Sequence, residues 1–350
     1  MDIDLSRFSG PVIQNEIELE DRLTGPTPDV VRAVSELEGD LMILGVGGKM
    51  GPTLARLAAR TMQDAGLNKR IIGVDLFPSN VHRERIEQAG VETIACDCLD
   101  RAALESLPDV PNLIFMAGRK FGSTGAEHLT WAVNTYLPAL VAQRFCNSRI
   151  VVFSSGNVYP FTPILHGGPS EDHPTGPVGD YAQSCIGRER MFQYFSDRFG
   201  TKVLIFRLNY AVELRYGIIL DIAQKVHAGI PIDLTMGNVN IIWQGDANAR
   251  VLPSFALCDS PPRILNVTGP EIISIRWMAR RLGHLMGREP VFTGSESETA
   301  LISNSAQSVA LFGYPTVPIG RVIEWVAYWV LIAGPTLDKP THFETRDGKF

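Results

Sequence analysis

The chain has 350 residues, 45% hydrophobic and 20% charged, with a net charge of −6. That length is ample for a buried core in one large or two moderate domains, and the composition is that of an ordinary soluble globular fold. The acidic balance argues against a surface that tracks nucleic-acid phosphates. The five cysteines, Cys96, Cys98, Cys146, Cys185 and Cys258, are odd in number, and no second CxC or CxxC motif pairs with Cys96 and Cys98. A disulfide framework or zinc site is therefore not expected, and a reducing cytoplasm is. The start "MDIDLSRFSG" lacks the basic-then-apolar pattern of a secretory signal. The most apolar stretch, "VIEWVAYWVLIAG" at 322–334, carries Glu324 and is too short to span a bilayer, so it reads as a buried helix.

In chain order, residues 1–39 form an acidic extension packed on the main body. Thr27 and Pro28 read as an N-cap and first helical residue, predicting a short helix over 28–38. The acidic run at 16–21 reads as a solvated face. From residue 40 short apolar runs alternate with helical stretches: "DLMILGV", "RIIGVDLF", "GVETIACD", "PNLIFMAG", "RIVVFSS" and "TKVLIFRLNY". This alternation predicts βαβ units and a doubly wound, Rossmann-type α/β domain over 40–211. After about residue 211 the alternation breaks down. Helices near 218–229, 272–286 and 319–333 predict a smaller lobe over 212–350, some segments of which return to the first domain.

The segment "ILGVGGKMGPTLARLA" places Gly45, Gly48 and Gly51 three residues apart, with Lys49 and Met50 between, after a strand and before a helix. Glycines here permit a tight turn and let the backbone approach a pyrophosphate at the helix N-terminus. Asp75 follows Gly51 by 24 residues, ends the next strand and precedes Leu76. A carboxylate there accepts hydrogen bonds from an adenosine ribose and repels a 2′-phosphate, so NAD is favoured over NADP.

These residues, with motifs spread over roughly 41–330, make the chain resemble the extended short-chain dehydrogenases/reductases of the NAD-dependent epimerase/dehydratase family. "ACD" puts Asp97 and Cys98 at the positions the family uses near the adenine. "FMAGRKFG", containing Met116, Ala117 and Gly118, resembles the segment that runs along the cofactor. Lys120 falls where sugar epimerases carry a lysine that reaches the cofactor's ribose and phosphates. Asn134 in "VNTYLPAL" resembles the asparagine of the following helix. "VVFSSGNVYP" puts Ser155 at the catalytic serine/threonine position, and Tyr181 in "YAQSC" matches the catalytic tyrosine. The resemblance implies NAD, a carbohydrate-like substrate and a homodimer built through the tyrosine helix.

The family's chemistry uses the tyrosine as acid/base, the serine to orient the substrate hydroxyl, and a lysine four residues beyond the tyrosine to lower its pKa from ~10. Here Cys185 stands in the lysine's place, on the same helix face. Three readings remain open. Arg188, seven residues beyond Tyr181, or Lys120 supplies the missing charge. Alternatively Cys185 acts as an acid/base, which needs a thiolate lowered from ~8.5. In the third, the protein is a catalytically silent NAD-binding regulator or scaffold. The first is preferred: an epimerase, dehydratase or dehydrogenase working by hydride transfer at a hydroxyl carbon. His166 and His173 read as solvent-exposed, Glu189 as helix surface, and Trp243 and Asp246 as braces between the lobes. No metal is expected.

Overall fold

The computed structural model describes residues 3–120 and 122–349. The chain begins with two helices, α1 (Glu16–Thr24) and α2 (Pro28–Glu36). Thr27 caps α2 by accepting from Val30 N at 3.3 Å, and the helix stops two residues short of the expected end. Helix α1 was not expected, yet Leu19 and Leu23, one turn apart, are fully buried. Asn15 caps it, accepting from Glu18 N at 3.0 Å, while Glu18 accepts from Gln14 N at 2.8 Å. The acidic run is more than a solvated face. Glu16 and Glu20 both pair with Arg215, at 3.1 and 2.8 Å, and Asp21 pairs with Arg60 at 3.0 Å, which ties the extension to the main body.

The centre is a seven-stranded parallel sheet. Its strands are β1 (Leu41–Leu44), β2 (Ile71–Asp75), β3 (Glu92–Ala95), β4 (Asn112–Phe115), β5 (Arg149–Ser155), β6 (Val203–Leu208) and β7 (Arg263–Val267). They lie in the order β7-β6-β5-β4-β1-β2-β3. Leu41 of β1 registers with Ile71 of β2 on one side and Asn112 of β4 on the other. The order reverses between β1 and β4, and a crevice opens there at the carboxyl ends of the strands.

Helices cover both faces, which is why β1 and β4 are buried throughout rather than alternating. Leu41, Ile43, Ile114, Val151 and Phe206 pack on one face with Leu54 and Ala58 of α3 (Gly51–Asp64). Met42, Leu44, Leu113, Phe115 and Val152 pack on the other with Val141 of α4 (Leu137–Arg144) and Phe192 of α5 (Gly179–Phe199). Strand side chains alternate between faces, so one sheet supplies two cores.

Beyond β6 a third apolar cluster gathers Ile222 of α6 (Ile218–Ala228), Met278 and Leu282 of α8 (Ile275–Met286), and Val326 and Trp329 of α9 (Ile319–Leu331). Between them α7 (Gln244–Val251) runs beside α3. Strand β7, from within the stretch 212–350, returns to the edge of the main sheet beside β6. Trp243 packs edge-on against Trp325 at 5.4 Å, and Asp246 accepts from Thr316 and Val317, contacts that all lie within residues 212–350. Among the described residues no helix is long and apolar enough to cross a membrane.

Candidate functional site

The glycine loop joins β1 to α3. Gly45 sits at φ +87°, where a Cβ would lie 2.5 Å from Ala117 N. A Cβ on Gly51 would come within 2.1 Å of the Val46 carbonyl oxygen. Neither contact is tolerable, so both glycines are required by close backbone approach. Met50 stands at the N-cap of α3 with no side-chain hydrogen bond to the first turn, whose N–H groups point into the loop. Across the loop, Asp75 at the end of β2 accepts from Gly47 N at 2.9 Å and Leu76 N at 2.8 Å. A side chain on Gly47 would touch that carboxylate at 3.1 Å. This cradle fits a dinucleotide: bare backbone and a helix N-terminus for the pyrophosphate, a fixed carboxylate for a ribose.

The other expected cofactor residues divide by their surroundings. Met116 N extends the β1–β4 ladder by donating to Leu44 O at 2.9 Å, bringing Met116, Ala117 and Gly118 alongside the glycine loop. Asp97 is exposed and accepts from Leu99 N at 3.0 Å, and Cys98 is half-buried, its sulfur 3.9 Å from that of Cys96. Burial pushes the Cys98 thiol well up, so it stays neutral. Lys49 turns out of the loop toward the second lobe. Its ammonium donates to Ala211 O at 2.6 Å and lies 4.1 Å from the Tyr216 ring centre, and burial lowers its pKa to about 7.

Asn134 belongs to the protein interior rather than to the crevice wall. It is fully buried in a π-helical turn, Ala132–Tyr136. Its oxygen accepts from Arg119 N and from Arg188, both at 2.9 Å; its nitrogen donates to Arg119 O at 2.9 Å and to the Ser184 hydroxyl at 3.0 Å. It thereby locks the segment carrying Lys120 to the helix carrying Tyr181.

Tyr181 lies in the first turn of α5, half-buried. Gly179 at φ +80° starts that turn. The phenol is hydrogen-bonded with Ser155 at the end of β5 and with Cys185 on its own helix. Ser155 also donates to the Asn157 side chain at 3.0 Å. Burial raises the Tyr181 pKa well above its ordinary value, and Arg188 and the Ser155 hydrogen bond oppose the rise. Cys185 is 1% exposed, and burial pushes its thiol up despite Arg188 and Lys120 nearby. Desolvation thus disfavours the thiolate form at this position.

The missing lysine's surroundings are nonetheless cationic. The Lys120 ammonium lies 5.8 Å from the Tyr181 ring centre and close enough to Cys185 for the thiol to influence its titration. Burial lowers the Lys120 pKa to about 8. Arg188, one turn further along α5, is buried and donates to Phe153 O at 2.7 Å.

Glu189 corrects the sequence reading. It is 2% exposed, not a surface residue, and binds Arg207 of β6 through both oxygens at 2.9 and 2.7 Å. The Ser154 hydroxyl donates to it at 2.6 Å, and Arg207 donates to the Tyr159 hydroxyl at 2.7 Å. A glutamate set between Arg188 and Arg190 on a helix offers no signal of a buried partner in a distant strand. His166 and His173 are exposed, as expected. Among the described residues no group of three or more His, Cys, Asp or Glu side chains is arranged to hold a metal ion.

The crevice, the Ser155–Tyr181 pair and the sheet order define an NAD-dependent enzyme of the extended short-chain dehydrogenase type. The chain belongs to the NAD-dependent epimerase/dehydratase family, whose model matches residues 41–232, more than half its length. Its cofactor is NAD. No curated protein matches by sequence. Solved structures do match in fold. UDP-glucuronic acid 4-epimerase from Bacillus cereus in complex with NAD shares 15% identity, covering 84% of this chain and 99% of that one with a TM-score of 0.68. A UDP-galactose 4-epimerase shares 18% identity over the same fractions, with a TM-score of 0.67. UDP-glucose 4-epimerase from Thermotoga maritima, with UDP-glucose, shares 13% identity, again covering 84% and 99%, with a TM-score of 0.66.

Proposed function

We propose that the chain is an NAD-dependent epimerase of a nucleotide-linked sugar, with Tyr181 as acid/base, Ser155 orienting the reacting hydroxyl, and the Lys120 ammonium supplying the charge that the family places at position 185. The observation that carries this is Lys120 itself. It reaches from the loop after β4 into the space beside Cys185, 5.8 Å from the Tyr181 ring centre.

Gly45, Gly48, Gly51 and Asp75, with Met116–Gly118 alongside, would hold NAD, which would supply an acceptor and donor of hydride. The chain's own residues handle the proton. Ser155 and Tyr181 both present oxygen to the substrate hydroxyl, and Tyr181 takes its proton as the hydride leaves. The resulting phenolate is buried and needs positive charge. Lys120 and Arg188 provide it from two elements, where a single lysine on the helix would ordinarily do so. Cys185 then serves as a small neutral group that leaves room for Lys120. The substrate class follows from the nucleotide-sugar epimerases of like fold, and a two-lobed crevice at the strand ends supports it. Exposed Tyr136, Tyr194 and Phe199, beside and along α5, support assembly as a homodimer through that helix.

The test is product analysis. NAD-loaded protein is incubated with UDP-glucose, UDP-galactose and UDP-glucuronic acid, and the products are resolved by chromatography. Interconversion that disappears in Tyr181→Phe and falls at least tenfold in Lys120→Met supports the reading. Tight NAD binding with no product and no reduced cofactor from any sugar would instead favour a silent NAD-binding regulator.

A further inference from the structure

We infer that the segment 335–349 is an autoinhibitory strap, which fills the substrate side of the Tyr181 site and must leave before a nucleotide sugar can enter. The inference rests on the placement of the substrate beside Tyr181. After α9 the chain turns back against Lys120 and the start of α5. Lys120, the proposed catalytic cation, donates to Thr341 O at 3.4 Å. Gly348 presses against Val178 and Gly179, the residues that open the tyrosine helix, and a Cβ on Gly348 would sit 2.4 Å from Val178 O. Arg346 lies over the Phe161 ring at 4.3 Å and donates to Thr299.

What remains of the space is too small for substrate. Between Asn157, Tyr159 and Tyr210 on one side and His342, Thr345 and Gly348 of the strap on the other, the cavity measures about 20 Å³. That holds about one water, whereas a drug-sized ligand needs roughly 300–1,000 Å³. A cavity of about 550 Å³ lies elsewhere, lined by residues of α6, the end of α9 and the strap.

The strap is held by contacts that can be exchanged for water. Thr341 donates from its N–H and hydroxyl to Asp221, Glu344 pairs with Lys225 at 3.0 Å, and Arg346 uses the hydrogen bonds above. Phe343 is its one strongly buried apolar anchor, at 2% exposure. Asp338 and His342 both sit at positive φ, +49° and +52°, conformations that cost a non-glycine residue about 1 kcal/mol each. Held by a handful of polar contacts and one ring, and strained at two points, the strap is suited to release.

The test compares the full chain with a chain ended after Gly334 and with a Phe343→Ala/Arg346→Ala variant, which loosens the strap without shortening it. Lys120 acetylation by dilute acetic anhydride at pH 8, followed by peptide mass spectrometry, reads coverage without any substrate. Labelling at least tenfold faster in both altered forms is expected; equal rates in all three overturn the inference. Calorimetric titration with UDP follows. Affinity at least tenfold higher in the opened forms is expected, and measurable UDP binding that is equal or weaker in them overturns it. If Lys120 labelling accelerates but no form binds UDP, the strap stands and the nucleotide-sugar reading falls.

Discussion

Replacing Glu189 by glutamine keeps its volume and deletes its charge on the buried face of α5. Arg207 is then left as a buried cation, with 4% of its side chain exposed, facing a neutral amide. The two groups meet through hydrogen bonds of 2.7 and 2.9 Å. Opposite charges centred about 4 Å apart attract by about 4 kcal/mol at an effective dielectric near 20. Breaking one side of a buried pair costs about 3–5 kcal/mol, which agrees. A chain of this length unfolds with an entropy of about 0.7 kcal/mol per K, so Tm should fall by about 5 °C. Thermal unfolding followed by circular dichroism measures it. A Glu189→Gln/Arg207→Gln double variant should recover part of the loss, because no uncompensated charge remains. A Tm drop below about 1 °C, or a double variant that loses the sum of the two single losses, refutes the argument that the pair acts as a unit.

Gly51→Ala forces a methyl to within 2.1 Å of Val46 O and must shift the loop. NAD affinity, read by calorimetry, should drop at least tenfold while the far-ultraviolet dichroism is unchanged. Cys185→Lys should not improve the enzyme, because Lys120 and Arg188 already crowd that position. The single variant should lose about 1–3 kcal/mol of stability in urea unfolding through like-charge contact at short range, and Cys185→Lys/Lys120→Met should restore much of it. The pH dependence of Lys120 follows from its depressed pKa, about 8 in the fold against 10.5 unperturbed. The unfolded chain binds more protons between those values, so the protonated lysine destabilises the fold fully below about pH 8, and the penalty fades as pH rises toward 10.5. Lys120→Met should therefore exceed the parent in stability at pH 7, with the gap closed by about pH 10. A gap that widens with pH contradicts that sign.

Much of this protein was legible one residue at a time. Apolar strand runs declare a covered parallel sheet because both faces of every central strand must be dry. Gly45 and Gly51 declare a backbone-to-backbone approach, because no other residue fits there. The spacing of Ser155 and Tyr181 followed from their places on a strand end and a helix start. These are local or periodic properties, and the chain carries them directly. Helix α1 escaped notice because two leucines a turn apart among acids look like a solvated stretch until a partner surface exists. Glu189 looked exposed for the same reason: its partner, Arg207, is 18 residues away and on a strand.

The amino-acid order by itself determined the sheet, the cofactor loop and the absence of a lysine at position 185, since each depends on residue identity and near-neighbour pattern. Only the folded chain decided which side chains lie beside that position and what packs against them. Lys120 reaches Cys185, and the strap's Thr341 reaches Lys120 across 221 residues of sequence, because packing of the two lobes closes distances that no local pattern encodes.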